Sequence, residues 1–397
     1  MIFSIRKFLE VARAFFKLGC ISFGGPVAHI SYLREEFVSK RRWLNDAAYG
    51  DLVALCQFLP GPASSQVVFA LGMQRTGWLG GLLASLCFTL PSAALMILFG
   101  YGVSAFGDLQ HAGGLHGLKL AAVAVVAQAV WGMGCNLCPD RTRLTIAVAA
   151  AALLLFVSSA LVQIGVIFSG GVIGWWFYRN KILHSENADR TDWKHHLIAG
   201  AILAVFFLLL VFLPVLASVS GNKNIAVFDS FYRAGSLVFG GGHVILPLLR
   251  AEVVPSGWVN DDAFLAGYGV AQAVPGPLFT FAAYLGTVIH PGSKAWLEGL
   301  SCLLAIFLPA WLLIAGALPF WQQLRAKVWP QAALRGANAA VVGVLLAALY
   351  NPVWITGVNN ARDVAIAVAA FGLLQWWKIP PWLVVLLTAA AGQWMLK

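Results

Sequence analysis

Nine stretches of this chain run for sixteen residues or more almost without a charged side chain. They lie at about 78–104, 116–138, 144–160, 161–178, 197–218, 299–320, 330–350, 362–377 and 380–396. A helix crossing a bilayer needs about 20 mainly apolar residues, so each stretch reads as a membrane span. The run 144–178 is too long for one crossing at a rise of about 1.5 Å per residue. It reads as two spans with a turn near Ser158 and Ser159. No stretch alternates polar and apolar residues as a membrane barrel requires, so the spans are α-helices. Composition agrees: 60% of residues are hydrophobic, only 11% are Asp, Glu, Lys or Arg, and the mean hydropathy is +0.80. A soluble domain carries about 25% charged residues, and so few charges cannot cover a water-facing surface of this size. Soluble enzymes, nucleic-acid-binding proteins and disordered chains are excluded.

The net charge of +10 comes from 26 Lys and Arg against 16 Asp and Glu. In a membrane protein such an excess marks cytoplasmic loops. Arg6, Lys7, Lys40, Arg41, Arg42, Arg75, Arg141, Arg143, Arg179 and Lys181 fall on one side of the expected spans, as do Arg325, Lys327 and Lys378. The other side receives few, among them Lys119, Lys223, Lys294 and Arg362. The N-terminus is therefore expected in the cytoplasm and the C-terminus outside, in an inner (plasma) membrane. Residues 1–19 place Arg6, Glu10, Arg13 and Lys17 on one helical face. They read as an amphipathic helix lying on the membrane surface and not as a cleavable signal.

The chain repeats itself at an offset of about 215 residues. Phe23-Gly24-Gly25 returns as Phe239-Gly240-Gly241, and Leu33-Arg34-x-Glu36 as Leu249-Arg250-x-Glu252. Trp43-x-Asn45-Asp46 returns as Trp258-x-Asn260-Asp261, and Gln57-x-x-Pro60-Gly61-Pro62 as Gln272-x-x-Pro275-Gly276-Pro277. Leu90-Pro91 returns as Leu308-Pro309. The span at 197–218 has no counterpart before the first copy. One unpaired crossing between two copies turns the second upside down. The expected fold is an all-α polytopic membrane protein, an inverted-topology repeat with Gly/Pro-broken helices, the form taken by many secondary transporters. The boundaries are a first domain over 1–178, a linking loop with the unpaired span over 179–222, and a second domain over 223–397.

Two motifs interrupt helix in each copy. The paired glycines Gly24-Gly25 and Gly240-Gly241, the latter followed by Gly242 and His243, weaken helix and let backbone approach a ligand. In Pro60-Gly61-Pro62 and Pro275-Gly276-Pro277 each Pro forces the residue before it out of helical geometry. A helix stops there and restarts with the second Pro in its first turn. The restarted end points free N–H groups forward and attracts anions by about 0.3–1 kcal/mol. Four such breaks near a pseudo-two-fold axis would form one anion pocket without a metal or cofactor. The first copy continues Ala63-Ser64-Ser65-Gln66, the second Leu278-Phe279-Thr280-Phe281, so the first supplies more side-chain donors. The candidate binding residues are Gly24, Gly25, Gln57, Pro60, Gly61, Pro62, Ser64, Ser65 and Gln66 in the first copy. In the second they are Gly240, Gly241, Gly242, His243, Gln272, Pro275, Gly276, Pro277 and Thr280.

Arg34, Glu36, Arg250 and Glu252 stand in equivalent places and are candidates for holding a dianion or carrying a proton; interfacial helix-end roles are the alternative. His29 and His243 lie near the breaks and fit either a proton site or a structural role. Asp46 and Asp261 read as first-turn or capping residues. Cys135-x-x-Cys138 precedes Pro139 and would suit a membrane redox sensor only with further ligands or a cofactor domain. No nucleotide-binding fingerprint and no catalytic-triad spacing is present in the sequence, so neither an enzyme nor a nucleotide-driven pump is indicated.

Taken together, the doubled Phe-Gly-Gly and Pro-Gly-Pro motifs, Gly61-Pro62-Ala63-Ser64-Ser65-Gln66, Phe239-Gly240-Gly241-Gly242-His243 and Tyr268-Gly269-Val270-Ala271-Gln272-Ala273-Val274-Pro275-Gly276-Pro277 resemble the chromate ion transporter family in its long, two-domain form. The resemblance covers nearly the whole chain. It implies a carrier that exports chromate, confers chromate resistance and is driven by the proton-motive force. The expected partners are chromate, protons and the bilayer, with no nucleic acid. Sulfate, a tetrahedral dianion of similar size, stands as the alternative substrate, and a homodimer as an open arrangement.

Overall fold

The computed structural model describes residues 2–23, 25–105, 113–157, 159–179, 193–239, 242–321 and 328–395. Ser158, most of the loop that joins the two copies, and the candidate residues Gly24, Gly240 and Gly241 lie outside them.

Helix is the only regular structure among the described residues. The first copy comprises α1 (Ile2–Ile21), α2 (Gly25–Arg34), α3 (Asp46–Phe58), α4 (Ala63–Thr76), α5 (Trp78–Ala105), α6 (Gly113–Leu137), α7 (Arg141–Phe156) and α8 (Ala160–Tyr178). The unpaired α9 (Trp193–Ser220) follows. The second copy repeats the series as α10 (Lys223–Ser236), α11 (Ile245–Val253), α12 (Asp261–Ala273), α13 (Phe281–Ile289), α14 (Ala295–Ala317), α15 (Val328–Ala348), α16 (Ala361–Gln375) and α17 (Pro381–Met395). One extra crossing between two matching series gives the second the opposite sense. Among the described residues, six segments are long and apolar enough to cross a membrane, and the chain is a multi-pass membrane protein. The run 144–178 is indeed two helices, separated around Val157 and Ser159.

Local chemistry explains the boundaries. Asn45 and Asn260 cap α3 and α12, each accepting the N–H three residues on, from Ala48 and Ala263. Asp46 and Asp261 then occupy the first turn, where a negative charge complements the helix dipole. The helices between the breaks, α2, α3, α4, α11, α12 and α13, have at most 14 residues. At 1.5 Å per residue none spans a hydrocarbon core about 30 Å thick. They are half-helices that end inside the protein.

The expectation of a surface helix at the N-terminus needs correction. Val11, Ala14, Phe15 and Leu18 of α1 are buried, and α1 packs along α5. Gly19 meets the carbonyl of Phe88, just as Gly235 on α10 meets that of Ile306 on α14. The charges of α1 mark only its outer face; the apolar stripe belongs to the core.

The two copies are interwoven. α15 of the second copy packs against α7 and α8 of the first, and α6 of the first packs against α16 and α17 of the second. Small residues allow the close approach: Gly170 and Gly174 meet Gly336, while Gly113 and Gly117 meet Gly392 and Thr388.

Candidate functional site

The Pro-Gly-Pro segments lie where the copies cross. Pro62 caps α4 in extended geometry and supplies no side-chain bond to its first turn. Gly61 and Gly276 adopt φ of +117° and +100°, a region that side chains with a Cβ rarely enter. These conformations aim the two glycine N–H groups across the repeat. Gly61 N–H donates to the Val238 carbonyl over 2.7 Å, and Gly276 N–H donates to the Ser22 carbonyl over 2.8 Å. Val238 and Ser22 are themselves equivalent, each standing just before its Phe-Gly-Gly motif. The pair is therefore reciprocal: each copy's Pro-Gly-Pro is tied to the residue that precedes the other copy's Phe-Gly-Gly motif. A Cβ on Gly61 would press on Ala310, and one on Gly276 on Ser92. These are again equivalent residues, one past Pro309 and one past Pro91. Gly242 faces Pro26, its own counterpart, which puts that contact near the pseudo-two-fold axis.

The polar side chains at this junction come mainly from the first copy. Ser64, Ser65 and Gln66 are all buried. Gln66 Nε2 donates to the Pro60 carbonyl over 2.8 Å. Gln66 Oε1, Ser65 Oγ and Ser22 Oγ are buried without a hydrogen-bond partner among the described residues. Leaving a buried polar atom unpaired costs about 1–3 kcal/mol, so three of them together make this junction the candidate binding surface. His29, buried edge-on against Phe88, joins the group. Its Nε2 lies 3.0 Å from the Ser22 carbonyl and its Nδ1 3.4 Å from Ser64 Oγ. A proton on Nε2 leaves Nδ1 to accept from the serine.

The second copy contributes differently. Pro277 is followed by a 3₁₀ turn, Leu278–Thr280, before α13 begins. The Thr280 hydroxyl is engaged with the Pro277 carbonyl at 2.8 Å. Phe279 and Phe281 are buried and form an apolar wall. His243 Nδ1 lies 3.0 Å from the Tyr268 hydroxyl. Gln272 Nε2 is buried without a partner, whereas Gln57 is exposed. Beside Pro60 and Phe239 opens an apolar cleft of about 630 Å³, lined also by Phe58, Phe168, Trp175 and Trp329.

The ionic candidates fall into ion pairs at helix ends. Arg34 holds Asp46 and Arg250 holds Asp261, each through Nε at 2.7 Å, an interaction repeated in both copies. Glu36 accepts from Arg41 at 2.7 Å, and Glu252 from Arg233 at 2.9 Å. Arg250 also borders a polar cavity of about 310 Å³ with Ser159, Gln163 and Asn351. Lys119 of the first copy bonds Asp262 of the second at 2.9 Å, and His116 pairs with the buried Asp363. Neither cross-copy pair was visible as such in the sequence, because its members belong to non-equivalent positions. Cys135 is exposed and Cys138 buried, and the two are not bonded. Burial pushes the Cys138 thiol above its ordinary range.

Comparison with known proteins decides the family. The chromate transporter family model matches residues 9–175 and again 225–393. The chain belongs to the chromate transporter family. A chromate transport protein of Pseudomonas aeruginosa is 30% identical over 96% of this chain and 91% of its own length. A probable chromate transport protein of Synechococcus elongatus is 26% identical, again over 96% of this chain and 94% of its own length. A chromate transport protein of Cupriavidus metallidurans is 28% identical over 86% of this chain and 81% of its own length. The two family matches coincide with the repeat and omit α9. No solved structure matches the chain.

Proposed function

We propose that this protein is a secondary carrier that exports chromate across the inner membrane, protects the cell against it, and couples export to the proton-motive force. The observation that carries the reading is the reciprocal Pro-Gly-Pro junction with unpaired buried polar atoms beside it. At that point the free N–H groups of the α4 start, the Ser65 hydroxyl and the second N–H of Gln66 Nε2 are the donors for a tetrahedral oxyanion, with Ser64 holding His29 beside them, and the second copy closes the pocket with Gly242 and Phe279. Donors of this kind suit a dianion, since they supply hydrogen bonds without a fixed opposite charge and allow release. The names of the related proteins support chromate as the substrate.

Energetics favour the outward direction. A charge moving through 100 mV gains about 2.3 kcal/mol, so a dianion leaving a negative interior gains roughly 4.6 kcal/mol. The positive-inside loops support a cytoplasmic N-terminus and an external C-terminus. The test is uptake of labelled chromate into energised inside-out vesicles with and without excess sulfate. Protein-dependent uptake that survives sulfate is the expected result. Uptake abolished by sulfate would make this a general oxyanion carrier, and absence of uptake would refute export.

A further inference from the structure

The second copy holds a buried charge cluster that the binding junction does not use. Asp229 on α10 is 5% exposed, and its Oδ2 takes Arg233 Nε at 3.0 Å. The other oxygen of that carboxylate, Oδ1, is buried with no partner among the described residues. Arg233 also reaches across to Glu252 on α11, Nη2 to Oε2 at 2.9 Å, and to Ser230 Oγ at 3.5 Å. Two carboxylates thus share one guanidinium in a poorly hydrated place. Ionisable groups buried at membrane depth are costly and are kept for transport of charge.

Among the described residues, the elements packed against α10 supply no second cation to the cluster. α10 packs against α14, α9 and α11. Between Leu197 and Ser220, α9 carries no charged residue. α14 brings only Glu298, which receives Asn224 Nδ2 at 3.4 Å, and the thiol of Cys302. On α11 the remaining charge, Arg250, is committed to Asp261. Lys223, at the start of α10, reaches the Ile289 carbonyl. The cluster therefore carries one uncompensated negative charge when both carboxylates are ionised. One proton on Asp229 Oδ1 cancels it and leaves Oδ2 on Arg233.

We infer that Asp229, with Arg233 and Glu252, is the proton-binding site that couples transport, one proton per cycle. The inference deepens the proposed function and rests on it. A structural route joins the cluster to the junction. The Arg233–Glu252 bond clamps α10 to α11 across the second copy's glycine break. Past the end of α10, the Val238 carbonyl accepts the Gly61 N–H. Protonation of Asp229 weakens its own hold on Arg233 and leaves Glu252 as the guanidinium's one anionic partner, which tightens the clamp and shifts the backbone acceptor of the first copy's Pro-Gly-Pro. The first copy lacks this device. Arg13 and Lys17 stand where the second has Asp229 and Arg233, and Lys17 lies 3.9 Å from Glu36 with 59% of its side chain exposed. The repeat is symmetric in backbone and asymmetric in this function.

The test uses the full chain in proteoliposomes with labelled chromate. Asp229→Asn should cut accumulation driven by a pH gradient by about tenfold while exchange of labelled for unlabelled chromate stays within about twofold, a loss in the ordinary range of coupling between sites. Gradient-driven accumulation by D229N at the wild-type level overturns the inference. Wild-type protein that neither accumulates nor exchanges chromate refutes the transport reading itself and takes the inference with it. Should D229N not fold, carbodiimide labelling of the wild-type protein, read by mass spectrometry, decides. An adduct on Asp229 or Glu252 that fades as pH rises supports the site, and no adduct at acid pH overturns it.

Discussion

Gly276→Ala tests the junction without replacing a polar side chain. The substitution forces a residue with a Cβ to hold φ near +100°, which costs about 1–3 kcal/mol. The new Cβ would also lie 2.7 Å from Ser92 Oγ. That hydroxyl donates to the Thr89 carbonyl at 3.0 Å, so moving it aside gives up a bond worth about 0.5–1.5 kcal/mol. The two effects sum to roughly 2–4 kcal/mol, a factor of ten in the folding equilibrium for every 1.4 kcal/mol. Reversible unfolding by dodecyl sulfate in mixed micelles, followed by tryptophan fluorescence, measures it. In a double-mutant cycle with Ser92→Ala, about 1 kcal/mol of the cost should vanish as the clash is relieved. The backbone part should persist. Gly61→Ala is expected to cost the same order, because Gly61 shares the geometry and meets Ala310. A G276A protein as stable as wild type would show that the left-handed turn and its crossed bond are not what holds the copies together there.

Three further outcomes follow from the same geometry. Ser65→Ala combined with Gln66→Leu removes two donors, the Ser65 hydroxyl and the Gln66 Nε2 amide; the chromate KM in vesicle uptake should rise at least about tenfold, in line with loss of one or two charge-assisted hydrogen bonds, and unchanged kinetics would place the anion elsewhere. Asp262→Asn strips the carboxylate from Lys119, whose side chain is 10% exposed, and should cost about 1–3 kcal/mol; adding Lys119→Met should recover most of it in the same unfolding assay, and an unaltered D262N protein would deny the pair any role in joining the copies. Replacing Cys135 and Cys138 with Ser should leave chromate uptake at the wild-type rate, and alkylation followed by mass spectrometry should find Cys135 modified well before Cys138, whose buried thiol resists ionisation; abolished activity would reopen the redox reading.

The repeat was legible because glycine and proline act through the backbone. Pro60-Gly61-Pro62 must stop a helix wherever it occurs, and its return as Pro275-Gly276-Pro277 announces a second break of the same shape. The long spans were legible because apolar length is a property of the sequence alone. The interweaving was not. An apolar face on α8 can satisfy α6 of its own copy or α15 of the other, and only the packing of Gly170 and Gly174 on Gly336 selects between them. α1 shows the same limit. Its charges at Arg6, Glu10 and Arg13 suggested a surface helix, while Val11, Ala14 and Phe15, which bury it, look no different from the apolar side of a lipid-facing helix. The role proposed for Asp229 was hidden for another reason. Its counterpart in the first copy is Arg13, so comparison of the copies draws attention to the residues that match and away from one whose meaning lies in the mismatch.

The reciprocal bonds from Gly61 and Gly276 have a mechanical consequence. They lie where the two copies cross, and if one half rocks about the other through that junction, points on the axis of rotation move least. Two short main-chain bonds placed there act as a fulcrum: they hold the halves at a fixed separation yet resist rocking only weakly. Opening to one face of the membrane and then the other can proceed as a see-saw about that line, with the long helices as its arms. Because these bonds are made of peptide groups, the side chains around them are free to differ between the copies, and a symmetric backbone junction can carry an asymmetric lining.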